Sequence, residues 1–222
     1  ATSWGVSTRL IGAVILAHGD NKGLRLPPNI APIQVVIIPI FRNEDQKILV
    51  KDYVSVIINK LNDIKVRYIV DWSDASPGYK FNDWEMKGVP IRIEIGPRDV
   101  ESNMVVAARR DNGQKKSIPK DRISDEVSNL LVTIQSELFN QAEKFRDRNT
   151  HDVDTYKEFK KIIKSGGFVR CGWDGSEETE SKIKDETKAT IRCIPFDENP
   201  EGLRCVYSGH PAQHEVIYAK AY

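Results

Sequence analysis

The feature that most limits the fold is the run Ile33-Gln34-Val35-Val36-Ile37-Ile38-Pro39-Ile40, apolar throughout except for one Gln. A strand with water on one face alternates apolar and polar side chains. A strand without that alternation must be covered on both faces, as parallel strands under helices are. The following residues supply the cover. Ile48, Leu49, Val50, Tyr53, Val56, Ile57 and Leu61 recur at spacings of three and four, which predicts an amphipathic helix over 44–62. Val66 to Trp72 reads as a second strand and Val89 to Ile95 as a third, with Ile91, Ile93 and Ile95 alternating with Arg92 and Glu94. Asn103 to Arg110 makes a further strand, and Ile123, Val127, Leu130, Leu131, Ile134, Leu138, Ala142 and Phe145 trace the longest helix. Strand–helix–strand units on short loops predict an α/β domain, a mixed sheet covered by helices.

The flanks differ from this middle. Val6 to Arg9 and the apolar run Ile11 to Ala17 read as buried strand, with Gly12 marking a close backbone approach, before the polar exit His18-Gly19-Asp20-Asn21-Lys22-Gly23. No later segment offers an obvious partner sheet, so this strand is expected to belong to a larger domain upstream. Pro27-Pro28 and Pro32 mark a linker. After Arg146 a smaller α+β unit is expected. It has a helix on Tyr156, Phe159, Ile162 and Ile163 stopped by Gly166-Gly167, and a strand from Phe168 to Cys171. A short helix opens at Ser176 with Glu177, Glu178 and Glu180, and strands follow at Ile191 to Phe196 and Val216 to Ala221. The expected boundaries are 1–26, 27–148 and 149–222.

Charge and cysteine usage exclude several classes. Thirty-three Lys and Arg stand against 32 Asp and Glu, so a uniformly basic nucleic-acid coat is excluded while a local basic surface is not. Three cysteines cannot all pair within the chain, which fits a reducing, cytoplasmic setting better than a disulfide scaffold. No apolar run approaches the ~20 residues that span a bilayer, so no membrane partner is expected. Ala1-Thr2-Ser3-Trp4-Gly5 has neither a charged nor an apolar leader region, so no signal peptide is expected.

The wording of the sequence carries a resemblance. Thr2-Ser3-Trp4-Gly5-Val6-Ser7-Thr8-Arg9-Leu10-Ile11-Gly12, then His18-Gly19-Asp20, Gly23-Leu24 and Leu26-Pro27-Pro28, resembles the third class II motif of prolyl-tRNA synthetases in their archaeal/eukaryote-like form. The likeness continues through Ala31-Pro32-Ile33-Gln34-Val35-Val36, Gly88-Val89-Pro90, Glu94-Ile95-Gly96-Pro97-Arg98-Asp99, Ile191-Arg192-Cys193-Ile194-Pro195-Phe196 and Tyr218-Ala219-Lys220-Ala221-Tyr222. It covers essentially the whole chain. It implies the end of a class II catalytic domain over 1–26, then a class IIa anticodon-binding domain with a mixed five-stranded sheet, then a small C-terminal domain. The first two class II motifs would lie before Ala1, so the chain alone is expected not to activate proline.

By that resemblance Arg9 contacts ATP during formation of prolyl-adenylate, with magnesium accompanying the nucleotide. Taken by itself, Arg9 is a guanidinium at a strand end, suited to phosphate and base but equally to plain solvent exposure. Trp4 falls where the family walls the proline pocket, and otherwise reads as a core aromatic. His18 and Asp20 read as loop structure. Tyr222 matches a C-terminal tyrosine and carboxylate that fold toward the active site in the family, or simply ends an edge strand.

The segment Tyr79-Lys80-Phe81-Asn82-Asp83-Trp84-Glu85-Met86-Lys87-Gly88 interleaves aromatics with charges. Unpaired bases need flat partners to stack on and fixed polar groups to read their edges. Proline anticodons end in two guanines; a carboxylate can accept from guanine N1 and N2, and Arg or Lys can donate to O6 and N7. Phe81, Glu85, Lys87, Arg92, Glu94, Arg98 and Asp99 are therefore the candidate readers. The bland alternative makes Phe81 and Trp84 core aromatics and Arg92 and Glu94 an ion pair. From Arg98 to Arg122, seven cations (Arg98, Arg109, Arg110, Lys115, Lys116, Lys120, Arg122) face four acids, an excess that could follow RNA phosphates or form a solvated face.

The family's C-terminal domain often holds zinc on four cysteines. Here Cys171 and Cys205 match one member of each pair, while the others read as Ser176 and Ser208, and hydroxyls are poor zinc ligands. Cys193 reads as core, and Pro211 breaks any helical pairing of His210 with His214. No structural zinc is expected. The resemblance thus implies a proline–tRNA ligase that takes proline, ATP and proline tRNA and dimerises through the missing catalytic domain. A non-catalytic RNA-binding module on the same fold, or a structural dimerisation piece, are the alternatives.

Overall fold

The computed structural model describes Ser3 and residues 5–220. The chain divides into two compact units, Ala1–Ala142 and Glu143–Tyr222. In the first, α1 (Arg9–His18) precedes β1 (Val35–Pro39), α2 (Glu44–Asp63), β2 (Tyr68–Val70), α3 (Pro77–Met86), β3 (Ile91–Ile95) and α4 (Pro97–Glu101). Then come β4 (Met104–Arg109), β5 (Lys115–Pro119) and α5 (Ile123–Arg148), which continues into the second unit. The five-stranded sheet has the order β2-β1-β3-β4-β5. β1 is parallel to both β2 and β3, whereas β4 and β5 are antiparallel.

Every residue of β1 is buried, as its unbroken apolar run requires. Val35 and Ile37 face a core shared with Val50, Tyr53, Ile57 and Leu61 of α2 and Val127, Ile134 and Leu138 of α5. Val36 and Ile38 point the opposite way, onto Val89 and onto Phe81 and Trp84 of α3. Each such buried aliphatic side chain is worth about 1.5–3 kcal/mol over leaving it in water. Local signals start the helices. The Asn43 side chain accepts from the Gln46 N–H with Glu44 and Asp45 in the first turn of α2, and Ser76 accepts from the Tyr79 N–H with Pro77 at the first position of α3.

The expected strand through Arg9 and Ile11–Ala17 is instead the helix α1. A strand needs neighbours for its N–H and C=O groups, and among the described residues none pairs with this segment. A helix satisfies those groups within itself. No side chain of α1 is buried; Leu10, Ile11, Ile15 and Leu16 are exposed. Cys193, expected in the core, is likewise exposed at the end of its strand.

The chain after α1 is fixed more firmly. Leu24 N–H donates to Met86 O at 2.9 Å and Leu26 N–H to Gly88 O at 3.2 Å, so residues 24–26 run along the end of α3. Gly88 has φ +76°, and a Cβ there would lie 2.6 Å from the Leu24 Cβ. Arg110 clasps Asp20 through both terminal nitrogens at 2.7 and 2.9 Å, and its Nε donates to Glu85 O at 2.7 Å.

The second unit holds β6 (Thr150–Asp152), α6 (Tyr156–Ser165), β7 (Phe168–Trp173), α7 (Glu177–Thr187), β8 (Ala189–Cys193) and β9 (His214–Lys220). Its sheet order is β6-β7-β9-β8. Phe159 and Ile163 of α6 and Ile183 of α7 pack on Val169, Val216 and Tyr218. α6 stops where Gly166 takes a left-handed conformation at φ 94°. A five-stranded mixed sheet with helices and a small four-stranded unit make this an α/β chain, as the patterning predicts.

Two stability predictions follow from these contacts. Gly113 is also left-handed, at φ +74°, but a Cβ there meets nothing within 4 Å. Gly113→Ala should therefore cost about 1–2 kcal/mol in urea denaturation, and Gly88→Ala a further 1–3 kcal/mol or so from overpacking against Leu24. Equal costs would mean that the Leu24 contact does not hold the segment. The second concerns acid. The hydrogen bonds from Arg110 hold the Asp20 carboxyl at about 2, below its usual 3.8. A lowered folded-state value stabilises fully above the ordinary value and is lost as pH falls through the folded one. The stability gap between the native chain and Asp20→Asn should therefore be constant above about pH 5 and close on descent toward about pH 2, read from thermal melts across that range.

Candidate nucleic-acid interface

Three short elements converge on the part of the sheet that α3 leaves open. Phe81 and Glu85 stand four apart on α3 and so share one helix face. Arg92 and Glu94 stand two apart on β3 and share one sheet face. The register then adds a residue from two strands away. Arg92 pairs with Ala108, and Ala108 with Lys115, so the three lie in one row with the small alanine between two long cations. That spacing lets Arg92 and Lys115 both turn onto Glu94.

The resulting cluster is tight. Glu94 is a buried carboxylate, 8% exposed. Arg92 donates to its Oε1 through Nε at 3.1 Å and a terminal nitrogen at 2.9 Å, and Lys115 Nζ lies 2.9 Å from Oε2. The Arg92 guanidinium lies 4.3 Å from the centre of the Phe81 ring, and Lys115 Nζ lies 5.5 Å from it. A cavity of about 210 Å³ opens beside the cluster, lined by Arg92 and Glu85 together with Lys22, Trp84, Arg110 and Gly113. Glu85 reaches Lys22 Nζ at 3.1 Å and keeps one carboxylate oxygen free of protein hydrogen bonds among the described residues. Chemically, the site offers a guanidinium plane clamped on an aromatic ring and a carboxylate at a pocket edge. It can stack a flat ring and read donors and acceptors along that ring's edge.

The other candidate readers divide. Lys87 pairs with Asp83 at 2.7 Å and covers the Trp84 ring at 4.4 Å, so it is turned onto its own helix. Asp99 accepts the Gly96 N–H at 2.8 Å and caps the short α4. Arg98 is exposed at the start of α4 and makes no ion pair among the described residues. Arg9 is exposed on α1. Trp4 and Tyr222 lie outside the described residues.

The basic excess from Arg98 to Arg122 is mostly consumed within the protein. Arg109 meets Asp111 and Glu137, each at 2.6 Å, Arg110 meets Asp20, Lys115 meets Glu94, and Lys116 meets Glu126 at 2.6 Å. Arg122 lies 3.7 Å from Asp125. The stretch is therefore a set of internal ion pairs rather than an open phosphate track. Lys115 and Lys22 carry no motif of their own. Lys115 enters through sheet register, and Lys22 through the contact of residues 24–26 with α3.

In the second unit Ser176 and Ser208, two of the four positions of the expected degenerate metal site, meet at one carboxylate. Asp174 accepts from Ser208 Oγ at 2.6 Å, Thr179 Oγ1 at 3.0 Å and the Ser176 N–H at 3.1 Å. Burial opposes ionisation of Asp174, yet these hydrogen bonds together hold its carboxyl below the usual range. The Ser176 hydroxyl accepts from the Thr179 N–H. Cys171 and Cys205 are both buried, and burial, with Cys205 nearby, pushes the Cys171 thiol up to about 12. Two committed hydroxyls in place of thiolates do not fit a closed four-cysteine zinc site. His210 and His214 do not add to it, since His214 turns its Nδ1 to Glu198 at 3.2 Å.

Comparisons with known proteins find a domain match in each unit. Residues 34–130 match the family described as "Anticodon binding domain", and residues 156–222 match "Prolyl-tRNA synthetase, C-terminal". Proteins named proline–tRNA ligase are similar along the whole chain. The one from Christiangramia forsetii is 46% identical over 224 residues, covering 100% of this chain and 46% of the relative. The one from Flavobacterium johnsoniae is 47% identical over 223 residues, covering 100% and 45%, and the one from Chlorobium phaeobacteroides is 49% identical over 231 residues, covering 100% and 47%. The chain spans about half the length of the curated relatives it matches. With an anticodon-binding domain followed by a prolyl-tRNA synthetase C-terminal domain, the chain matches the C-terminal portion of the prolyl-tRNA synthetases.

Proposed function

We propose that this chain is the tRNA-recognising part of a cytoplasmic proline–tRNA ligase, which attaches proline to its tRNA at the expense of ATP. The observation that carries the reading is the convergence of Phe81, Glu85, Arg92, Glu94 and Lys115 on one open sheet face. A guanine stacking on the outer plane of Arg92 would present N1–H and N2–H to Glu85, while O6 and N7 would accept from Lys115. Glu94 then acts as the buried counter-charge that fixes both cations before RNA arrives. Its ion pairs reduce the cost of holding two cations beside each other and leave discrimination to edge geometry. Arg98 extends the surface as an exposed cation at the end of β3.

In the same reading Arg9 contacts the ATP–magnesium substrate, Trp4 walls the proline pocket and Tyr222 approaches the active site. Those roles belong to the homodimeric ligase as a whole. Its chemistry would be attack of the proline carboxylate on the ATP α-phosphate and transfer to the terminal ribose, driven by positioning and charge stabilisation. The domain boundaries proposed are 1–26 for the end of the catalytic domain, 27–148 for the anticodon-binding domain and 149–222 for the C-terminal domain. The last is proposed to hold without zinc.

Binding of this chain to a proline tRNA transcript, compared with a transcript whose two anticodon guanines are replaced, tests recognition. The expected loss is about 1–3 kcal/mol per base read, and Glu85→Gln and Arg92→Lys should each erase the preference at one base. Equal binding of both transcripts, collapsing with added salt, would leave only phosphate contact and remove the anticodon assignment. For the second unit, prolonged EDTA treatment should leave the melting temperature unchanged, whereas Asp174→Ala should lower it, at a cost of about 1–3 kcal/mol from the stranded Ser208 and Thr179 hydroxyls. A chelator-induced drop would show that a metal does hold the unit.

A further inference from the structure

The loops that leave the carboxyl ends of β1 and β2 carry aromatic side chains that the reading cluster does not use. Ile40-Phe41-Arg42 follows β1, and Asp71-Trp72-Ser73 follows β2. The Phe41 and Trp72 rings lie 6.3 Å apart at 36°, and Trp72 is 38% exposed. Lys47 Nζ stands 5.7 Å from the Phe41 ring centre. Apart from Ile40 and Ala75, the other residues of these loops are polar or charged, so a paired aromatic surface there needs a reason.

The surface is rigid. Asp71 is tied from three sides: its N–H donates to Ile37 O at 2.9 Å, its Oδ2 accepts from Trp84 Nε1 at 2.7 Å, and its Oδ1 accepts from the Ser73 hydroxyl at 2.6 Å. Lys80, only 4% exposed, donates Nζ to Asp71 O at 3.0 Å. Trp72 is thus mounted on α3, the helix that carries Phe81 and Glu85. Phe41 is mounted on β3, because Ile40 N–H donates to Ile95 O at 2.8 Å. Arg42 bonds its N–H to Gln46 Oε1 at 2.9 Å, and Asn43 caps α2.

Position and charge name the occupant. In open α/β sheets ligands sit outside the carboxyl ends of the parallel strands, where Phe41, Trp72 and the exposed Arg98 all lie. The local charges cancel, Arg42 and Lys47 against Glu44 and Asp45, so a phosphate gains little here. A nucleobase has a π-face that such a pair can cover without hydrogen-bond readout. We propose that Phe41 and Trp72 form a second stacking subsite, which takes one unpaired nucleobase of the same RNA whose neighbouring bases are read at α3 and β3. The proposal rests on the anticodon reading above and extends it along the sheet edge.

The test is an abasic scan of the anticodon loop in a proline tRNA stem-loop, titrated against the full chain and against Trp72→Ala, with Glu85→Gln alongside. One loop position outside the two guanines should lose about tenfold in affinity when its base is removed. That loss should vanish in Trp72→Ala, persist in Trp72→Phe, and be the same at low and raised salt, because stacking is not screened. Since the base is removed from the RNA, the native protein alone carries the first comparison and no folding defect can mimic it. If Glu85→Gln weakens binding but every abasic penalty survives in Trp72→Ala, the subsite is wrong and the anticodon reading stands. If neither Glu85→Gln nor replacement of the guanines changes binding, both fall together.

Discussion

The parallel pairing of β1 with β3, in register from Val35–Ile91 to Pro39–Ile95, is the constraint on which the first unit depends. The chain reaches β2 from β1 through α2, then passes back over β1 to β3 through α3. Two crossovers of the same right-handed sense running in opposite directions place their helices on opposite faces. α2 and the long α5 therefore roof one face completely, and α3 roofs only part of the other. The uncovered part is where Arg92, Glu94 and Lys115 can carry charge at all. On the covered side of the same strand, Ile91, Ile93 and Ile95 are fully buried.

That half-open sheet also explains why the charges come in pairs. A carboxylate as buried as Glu94 would be very costly without partners, and a guanidinium pressed on Phe81 has given up much of its water. Each makes the other tolerable. The result is a stiff polar surface whose donors and acceptors are aimed before any ligand is present, which favours discrimination over attraction. Phe41 and Trp72, neutral and fixed to the same framework, continue that surface with apolar area instead of charge.

The second unit solves a different problem. Phe159, Ile163 and Ile183 pack on its small sheet, and Asp174 adds hydrogen bonds that tie Ser176, Thr179 and Ser208 together. Cys171 and Cys205 behave as small buried apolar groups in this setting.

Periodicity alone revealed β1, α2, β3, β4, α5 and α6, because each is either continuously apolar or strongly amphipathic. Their apolar spacing is a direct record of which face meets the core. α3 was obscured by its mixture of aromatics and charges, of which only Lys80 is buried. β5 was missed because Lys115-Lys116-Ser117 has no apolar face, and it forms only through pairing with β4. Arg9 to His18 failed in the opposite sense, since strand-like composition has no strand outcome without a partner for its backbone. For the site, residue types and spacing sufficed to nominate Phe81, Glu85, Arg92 and Glu94. Composition could not foresee that the basic run up to Arg122 neutralises itself, because ion pairs such as Arg109–Glu137 and Arg110–Asp20 join residues far apart in the chain. The sequence by itself determined the α/β class, the family resemblance and the nominated readers, since these follow from local pattern and residue identity. Only the tertiary structure decided that Lys115 completes the cluster, that Lys87 and Asp99 serve their own helices, and that Trp72 meets Phe41. Those outcomes depend on strand register and on crossover direction, and neither is written in any single stretch of chain.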